Sequence, residues 1–314
     1  MKVSVIIVNF NTRKITVDCV KSLLVCGAEA EMRIFVVDNA SRDGSVAEFE
    51  KEFAAEIAGG RMEILANNAN LGFSRANNLP RGKCAGQYVL FLNSDTIVHP
   101  GTLAKTLEFM DAHPDVGALS CRLVLGDGKT LDRDARRAMP TPWVALSHFL
   151  CLDRIFKGAK LFDRYWCGYV PENKIQEVDV IQGAFFLAPK KILDLVGWFD
   201  EDYFLDGEDI DLCWKIKNAG YKIIYYPEAS ITHFKGSSKG KKETGAAKSK
   251  ISYRDRLKYV SSGARSMKIF YRKRMWGKSS LLLNYLVLGA INILIFLRTS
   301  KVRMAHIFGK RRDA

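Results

Sequence analysis

The chain lacks both glycine signatures that cradle phosphates: neither G-x-G-x-x-G nor G-x-x-x-x-G-K-[ST] occurs in it. A nucleotide bound here would have to be held by side chains and a metal rather than by a glycine-rich backbone loop. No C-x-x-C pair joins any of the seven cysteines, which are scattered from Cys19 to Cys213. The basic region and small-residue cleavage site of a secretory signal are missing too, because Met1 runs directly into the apolar residues 3–8. An odd cysteine count without a signal peptide leads to the expectation of reduced thiols and a cytosolic location.

What is present fits a globular protein. The 314 residues, 48% hydrophobic and 26% charged, suffice for one large domain or two small ones. The net charge of +14 is unevenly spread. Residues 235–314 hold 21 Lys and Arg against 3 acids, a balance of +18, whereas residues 1–234 hold 27 basic against 31 acidic residues, a balance of −4. Basicity confined to the tail implies a polyanionic partner, either a membrane or a nucleic acid. The aromatic sheet or recognisable module that RNA binding normally brings is missing, so a membrane surface is the expected partner and nucleic acid is not.

Over the first hundred residues, apolar runs at 3–8, 33–37, 62–65 and 88–92 alternate with helical patterns at 14–26 and 46–58. That is the βαβ pattern of an α/β fold, a mainly parallel sheet flanked by helices. Further on, the pattern predicts a helix over 100–115 and a strand over 118–125. An irregular segment over 126–175 follows, then a strand over 181–188 and a short helix over 190–196. A helix after Gly207 and strands at 221–226 and 231–233 complete the body. In such sheets ligands sit beyond the carboxyl ends of the strands, where Asn9 to Thr12, Asp38, Asn67 to Asn70 and Asn93 to Asp95 all fall.

The stretch 197–214 packs seven carboxylates (Asp200, Glu201, Asp202, Asp206, Glu208, Asp209, Asp211) among large apolar residues. Glu208, Asp209 and Asp211 fall in the first turn of the helix after Gly207. Acids there complement the helix dipole, and Asp206 or Gly207 would serve as N-cap, so capping competes with catalysis as their explanation. Beyond the body, 235–250 is cationic and rich in Gly and Ser, as a mobile loop would be. A basic mixed helix is expected over 251–274. The 17-residue run 281–297 carries no charge. As a helix it would reach ~25 Å, short of the ~30 Å hydrocarbon core, and both its flanks are basic. We therefore expect it to lie in or dip into the cytoplasmic leaflet, the alternative being a helix docked on the body.

Taken in order, these motifs resemble family 2 glycosyltransferases. The pieces are Ser4-Val5-Ile6-Ile7-Val8-Asn9-Phe10-Asn11, Val37-Asp38-Asn39-Ala40-Ser41, Asn70-Leu71-Gly72-Phe73, Phe91-Leu92-Asn93-Ser94-Asp95, Gln182-Gly183-Ala184-Phe185, Glu208-Asp209-Ile210-Asp211-Leu212 and Ile231-Thr232-His233. The resemblance is closest to bacterial rhamnosyltransferase-type members of cell-surface polysaccharide assembly. It implies a GT-A fold and inverting transfer from a nucleotide-diphospho-sugar to a hydroxyl of a glycan or lipid-linked acceptor. It divides the chain into a transferase domain over 1–234 (nucleotide-sugar half 1–99, acceptor half 100–234), the basic loop 235–250 and a membrane-associating tail 251–314. Asn9, Thr12, Asp38, Asn70, Arg75, Asn77, Asn93 and Asp95 would then bind the nucleotide-sugar. Asp95 and His233 would hold a divalent cation, Mg or Mn, with Asn93-Ser94-Asp95 standing where the family has D-x-D. Asp209 would be the base and Glu208 its support, with Asp211 and Gln182 toward the acceptor. On residues alone, Asp38 and the Asn-rich loop read equally as turns, and His233 as a structural histidine. A nucleotidyltransferase making a nucleotide-sugar, or a non-catalytic membrane- or nucleic-acid-binding protein, is the alternative.

Overall fold

The computed structural model describes residues 1–26, 30–235 and 253–310. Four apolar strands begin the sheet: β1 (Val3–Asn9), β2 (Met32–Asp38), β3 (Met62–Ala66) and β4 (Tyr88–Asn93). β1 lies between β2 and β4, with β3 outside β2, and all three pairings are parallel. β1, β2 and β4 are mostly apolar and buried along nearly their whole length, as a sheet covered on both faces requires, whereas β3 at the edge is largely half-buried. α1 (Arg13–Cys26), α2 (Ser45–Glu52), α3 (Ala54–Ala58) and α4 (Phe73–Asn78) connect them. The single helix expected over 46–58 is broken at Phe53, whose backbone leaves helical geometry as its ring is buried.

The second half adds β5 (Thr96–Val98), α5 (Thr102–Ala112), β6 (Val116–Leu125), α6 (Pro142–Phe149), α7 (Leu152–Ile155), β7 (Gln176–Glu177), β8 (Phe185–Pro189), α8 (Lys190–Val196), α9 (Glu208–Asn218) and β9 (Lys222–His233). The sheet runs β3-β2-β1-β4-β8-β6-β9-β5, with β7 beside β9. β8 is antiparallel to both neighbours, so a mixed half joins the parallel one. The two strands expected at 221–226 and 231–233 are one. Between Cys121↔Tyr226 and Arg122↔Ser230 the register of β9 on β6 jumps, which absorbs Pro227. Proline cannot donate to a ladder, so a bulge is where a strand accommodates it. Within the segment expected to be irregular, α6 starts on a readable signal: the Thr141 hydroxyl caps it and Pro142 opens its first turn.

In the tail, α10 (Tyr253–Phe270) runs on as a π-helical turn to Met275, and α11 (Leu281–Lys310) follows. The expected basic loop 235–250 lies, but for Lys235, outside the described residues. α11 is longer than the uncharged run suggested, and Leu281–Ala305 is long and apolar enough, by length and composition, to cross a membrane. One stripe of it (Asn284, Leu288, Ile291, Thr299, Val302) is buried, with Leu288 and Ile291 in a cluster with Tyr203, Phe270, Tyr271 and Met275. Leu282, Leu286, Ile293 and Phe296 on other faces are exposed. α11 is thus docked along one stripe, with exposed faces that are mainly apolar up to Leu297 and basic at Arg298, Lys301 and Arg303.

Candidate active site

Register brings the strand ends level. Asn9 pairs with Asp38 across β1 and β2, and Val8 with Asn93 across β1 and β4. Asn9 Nδ2 donates to Asp38 Oδ1 at 2.6 Å, and Thr12 and Thr16 both donate to Asn9 Oδ1 at 2.8 Å. Asp38 Oδ2 accepts from the Ser41 backbone N–H at 2.9 Å, and Thr12 Oγ1 lies 3.3 Å from Ser94 Oγ. Asn9, Thr12 and Asp38 are all buried. They brace the first two loops against the Asn93-Ser94-Asp95 turn. Asn70 likewise serves its loop, accepting from Asn39 Nδ2 and the Gly72 N–H, while Asn77 donates back to the Phe73 carbonyl. Arg75 is exposed and pairs loosely with Glu201 at 3.5 Å.

β5 was not legible in the sequence, yet it positions the candidate cation ligands. Thr96 pairs with His233, which sets His233 beside Asp95. His233 Nε2 lies 3.3 Å from Asp95 Oδ1, and Nδ1 lies 2.9 Å from Asp132 Oδ2. Lys235 Nζ reaches Asp132 at 2.7 Å and also Asp134. Burial alone would lower the His233 pKa, but hydrogen bonds to Asp132 and Asp95 outweigh it and hold the ring at about 9. Burial pushes Asp132 up, and the His233 and Lys235 hydrogen bonds override it, to about 2. The Asp132 carboxylate on Nδ1 is the kind of partner that fixes the ring of a metal-ligating histidine; with Asp95 beside Nε2 the ring is charged as it stands, so a cation would have to displace the Nε2 proton. Asn93 Oδ1 is buried with no hydrogen-bond partner among the described residues. Among those residues, no three His, Cys, Asp or Glu side chains gather as a protein-only metal site. A divalent cation beside a diphosphate needs only one or two protein ligands, the remaining positions going to water and substrate phosphates.

α9 carries the acids. Its N-cap is Gly207, in the left-handed region (φ 86°) and without a side-chain cap, and Asp206 is left-handed too (φ 67°). Of the two expected N-caps Gly207 holds the place, while the Asp206 carboxylate turns to accept from Ser262 Oγ at 2.6 Å. Asp209 and Asp211 each have an arginine of their own instead of crowding one another. Asp209 Oδ2 accepts from Arg137 Nη2 at 2.6 Å, with both side chains nearly buried. For Arg137, burial works against the charge and Asp209 more than restores it, so the guanidinium pKa is raised. Asp211 lies deeper than Asp209. Expected at the acceptor, it is wholly buried, held by Arg274 through Nε at 2.7 Å and Nη2 at 3.1 Å and by the Tyr203 hydroxyl at 3.3 Å. Glu208 is buried as well, and Gln182 presents a buried Oε1 with no partner among the described residues.

The two halves meet at Gly72. The Phe73 N–H donates to the Phe204 carbonyl at 2.7 Å, and a Cβ on Gly72 would lie 2.7 Å from both that oxygen and the Phe204 ring. Its φ of 86° and ψ of 173° are open to glycine alone. Gly72→Ala is therefore expected to cost on the order of 3 kcal/mol in chemical denaturation. A loss under about 1 kcal/mol would show that the loop can lift off Phe204 freely.

The profile described as glycosyltransferase-like family 2 matches residues 1–251. The chain belongs to the family 2 glycosyltransferases. This transferase is 25% identical over 233 residues to the N-acetylglucosaminyl-diphospho-decaprenol L-rhamnosyltransferase of Mycobacterium tuberculosis, covering 69% of this chain and 71% of that one. It is 26% identical over 230 residues to an uncharacterised Sinorhizobium fredii protein, spanning 72% of itself and only 23% of that protein. Among solved structures it resembles a mannosyltransferase of Pyrobaculum calidifontis in complex with GDP-Man and Mn²⁺ (TM-score 0.54, 17% identity, 97% of this chain, 73% of that one). It also resembles GalNAc-T7 with UDP, GalNAc and Mn²⁺ (TM-score 0.55, 16% identity, 74% of this chain, 44% of that one). At these identities the likeness establishes the fold, which is GT-A-like.

Sequence reasoning missed three members of the site of this transferase: Asp132 behind His233, Arg137 on Asp209 and Arg274 on Asp211. The consecutive pair Arg136-Arg137 was the one available signal, since two adjacent arginines this deeply buried require acceptors.

Proposed function

We propose that the transferase moves a sugar, with rhamnose as the candidate, from a nucleotide-diphospho-sugar to a hydroxyl of a lipid-linked glycan at the cytoplasmic membrane surface. Displacement would be direct and inverting, with Asp209 as the base. One observation carries this reading: the stretch from Asp132 to Arg137 holds both ends of the site, Asp132 gripping His233 beside Asp95 and Arg137 gripping Asp209. Five residue steps span at most about 18 Å, and the helical turn at Arg133–Ala135 shortens that, which supports a single substrate reaching both the leaving-group side and the base side.

Asp95 and His233 would hold the cation, with the Asn93 carbonyl oxygen near it, and Asp132 would fix the ring of His233. A divalent cation bound there would offset the negative charge that gathers on the departing diphosphate. Arg137 would aim one oxygen of Asp209, leaving the carboxylate lone pairs not taken by Arg137 and the Ile210 N–H to receive the acceptor proton. Gln182 would present its free carbonyl oxygen to the acceptor. The decaprenol-linked substrate named for the mycobacterial relative supports a lipid-linked acceptor, and the apolar faces of α11 support a membrane location.

A thermal-shift screen of UDP-, dTDP- and GDP-sugars with Mg²⁺ or Mn²⁺ tests this. At least one donor should stabilise the protein only when metal is present, and Asp95→Ala should remove the metal-dependent part of the shift. An equal shift with and without metal in both proteins would rule out Asp95 as a ligand; no shift with any donor would sink the reading.

A further inference from the structure

The segment between β6 and β7 carries a surface that the site leaves unused. α6, α7 and the turns after them pack on themselves. Trp143 Nε1 donates to the Leu161 carbonyl at 3.2 Å, Ser147 Oγ to the Phe162 carbonyl at 3.0 Å, and the Phe156 and Phe162 rings stack with centroids 4.7 Å apart. Despite this packing, Trp143, Leu146, Phe149, Leu150, Ile155 and Leu161 are 44–67% exposed.

The charges around them are sorted. Both acids between 142 and 166 are buried: Asp153 lies 2.9 Å from His148 Nδ1, and Asp163 accepts from the Gly158 N–H. Arg154, Lys157, Lys160 and Arg164 are all exposed. The outward face is therefore apolar and cationic, with no outward carboxylate. A surface of this kind complements an anionic bilayer: aliphatic and aromatic groups enter the boundary between headgroups and acyl chains, and the cations face lipid phosphates. An indole with its N–H satisfied at one edge suits that boundary. The root of the segment also ties it to the site, since Arg137 holds Asp209 and Met139 packs on the cluster that seats α11.

We propose that the α6–α7 segment is a membrane-docking element in its own right, separate from α11, which inserts into an anionic lipid surface beside the acceptor side of the cleft. It rests on the reading above only for what the cleft does with an acceptor; docking itself needs no turnover.

Cys151 stands between α6 and α7 and is exposed, while Cys26 is half-buried and the other five cysteines are buried. The full chain carrying Cys26→Ser can thus be labelled at Cys151 with a polarity-sensitive maleimide dye. Phosphatidylglycerol-rich vesicles should shift its emission to the blue, and phosphatidylcholine vesicles should leave it nearly unchanged. Phe149→Glu with Ile155→Glu, both at exposed positions, should weaken partitioning about tenfold and abolish the shift. Cosedimentation of the labelled chain with anionic vesicles without any shift would overturn the proposal in favour of the tail alone. A shift that grows with protein concentration in the absence of lipid would overturn it in favour of self-association. Asp209→Asn should dock like the unaltered chain, so a failure of docking and a failure of the transfer reading register separately.

Discussion

Asp209→Asn is expected to lower the transfer rate constant by about a hundred- to ten-thousand-fold, the range a positioned general base supplies. The substitution keeps the shape of the side chain and its place in the first turn of α9. An amide oxygen can still accept from Arg137, which now reaches Asp209 Oδ2 at 2.6 Å, so the fold around the pair should persist. What is lost is the lone pair able to take up a proton. Donor affinity, measured by calorimetry with metal present, should stay within about twofold, because none of the proposed donor contacts lies on α9. Retention of more than about a tenth of the unaltered rate would remove Asp209 from the role of base. A matching loss of donor affinity would instead assign it to the donor.

The second large effect is expected on stability. Arg274→Ala leaves Asp211, which is 0% exposed, without the cation that holds both its oxygens. Breaking a buried pair from one side costs about 3–5 kcal/mol. Arg274 keeps some contact with solvent, so the lower end, about 3 kcal/mol, is the expected value in chemical denaturation of the full chain. Replacing both partners by leucine should recover most of that loss, since the stranded charge is gone. If Arg274→Ala changes stability by less than about 1 kcal/mol, the tail is not pinned to α9 through this pair.

The parallel half of the sheet was legible because each of β1, β2 and β4 is a predominantly apolar run closed by Asn or Asp, and those closing residues do meet at one edge. Asp95 and His233 were legible as members of motifs. Their pairing depends on β5, which at three residues is too short to show a period. The partners that decide what each carboxylate does were not legible. Arg137 lies 72 residues from Asp209, and Arg274 lies 63 from Asp211. No local pattern encodes ion pairs of that reach, so acids that look equivalent in the sequence separate: Asp209 is held by Arg137, Asp211 is sealed under Arg274, Asp200 and Asp202 are tied to Lys273, Glu201 lies beside Arg75 and Asp206 bonds Ser262. The burial of Asp211 under Arg274 was invisible for that reason. The jump of register at Pro227 and the break at Phe53 were hidden likewise, because packing rather than propensity decides both.

The grip of the tail on the acidic stretch has a practical consequence. Lys273 holds Asp200 and Asp202, Arg274 holds Asp211, Ser262 holds Asp206, and Tyr203 shares its cluster with Leu288 and Ile291. A version trimmed after residue 235 to gain solubility would strip the counter-ions and the apolar cover from the wall that carries Asp209. Such a protein would lose activity for reasons unrelated to lipid, and its failure would be misread as dependence on a membrane. Detergent or nanodisc preparations of the uncut chain are the route to meaningful kinetics.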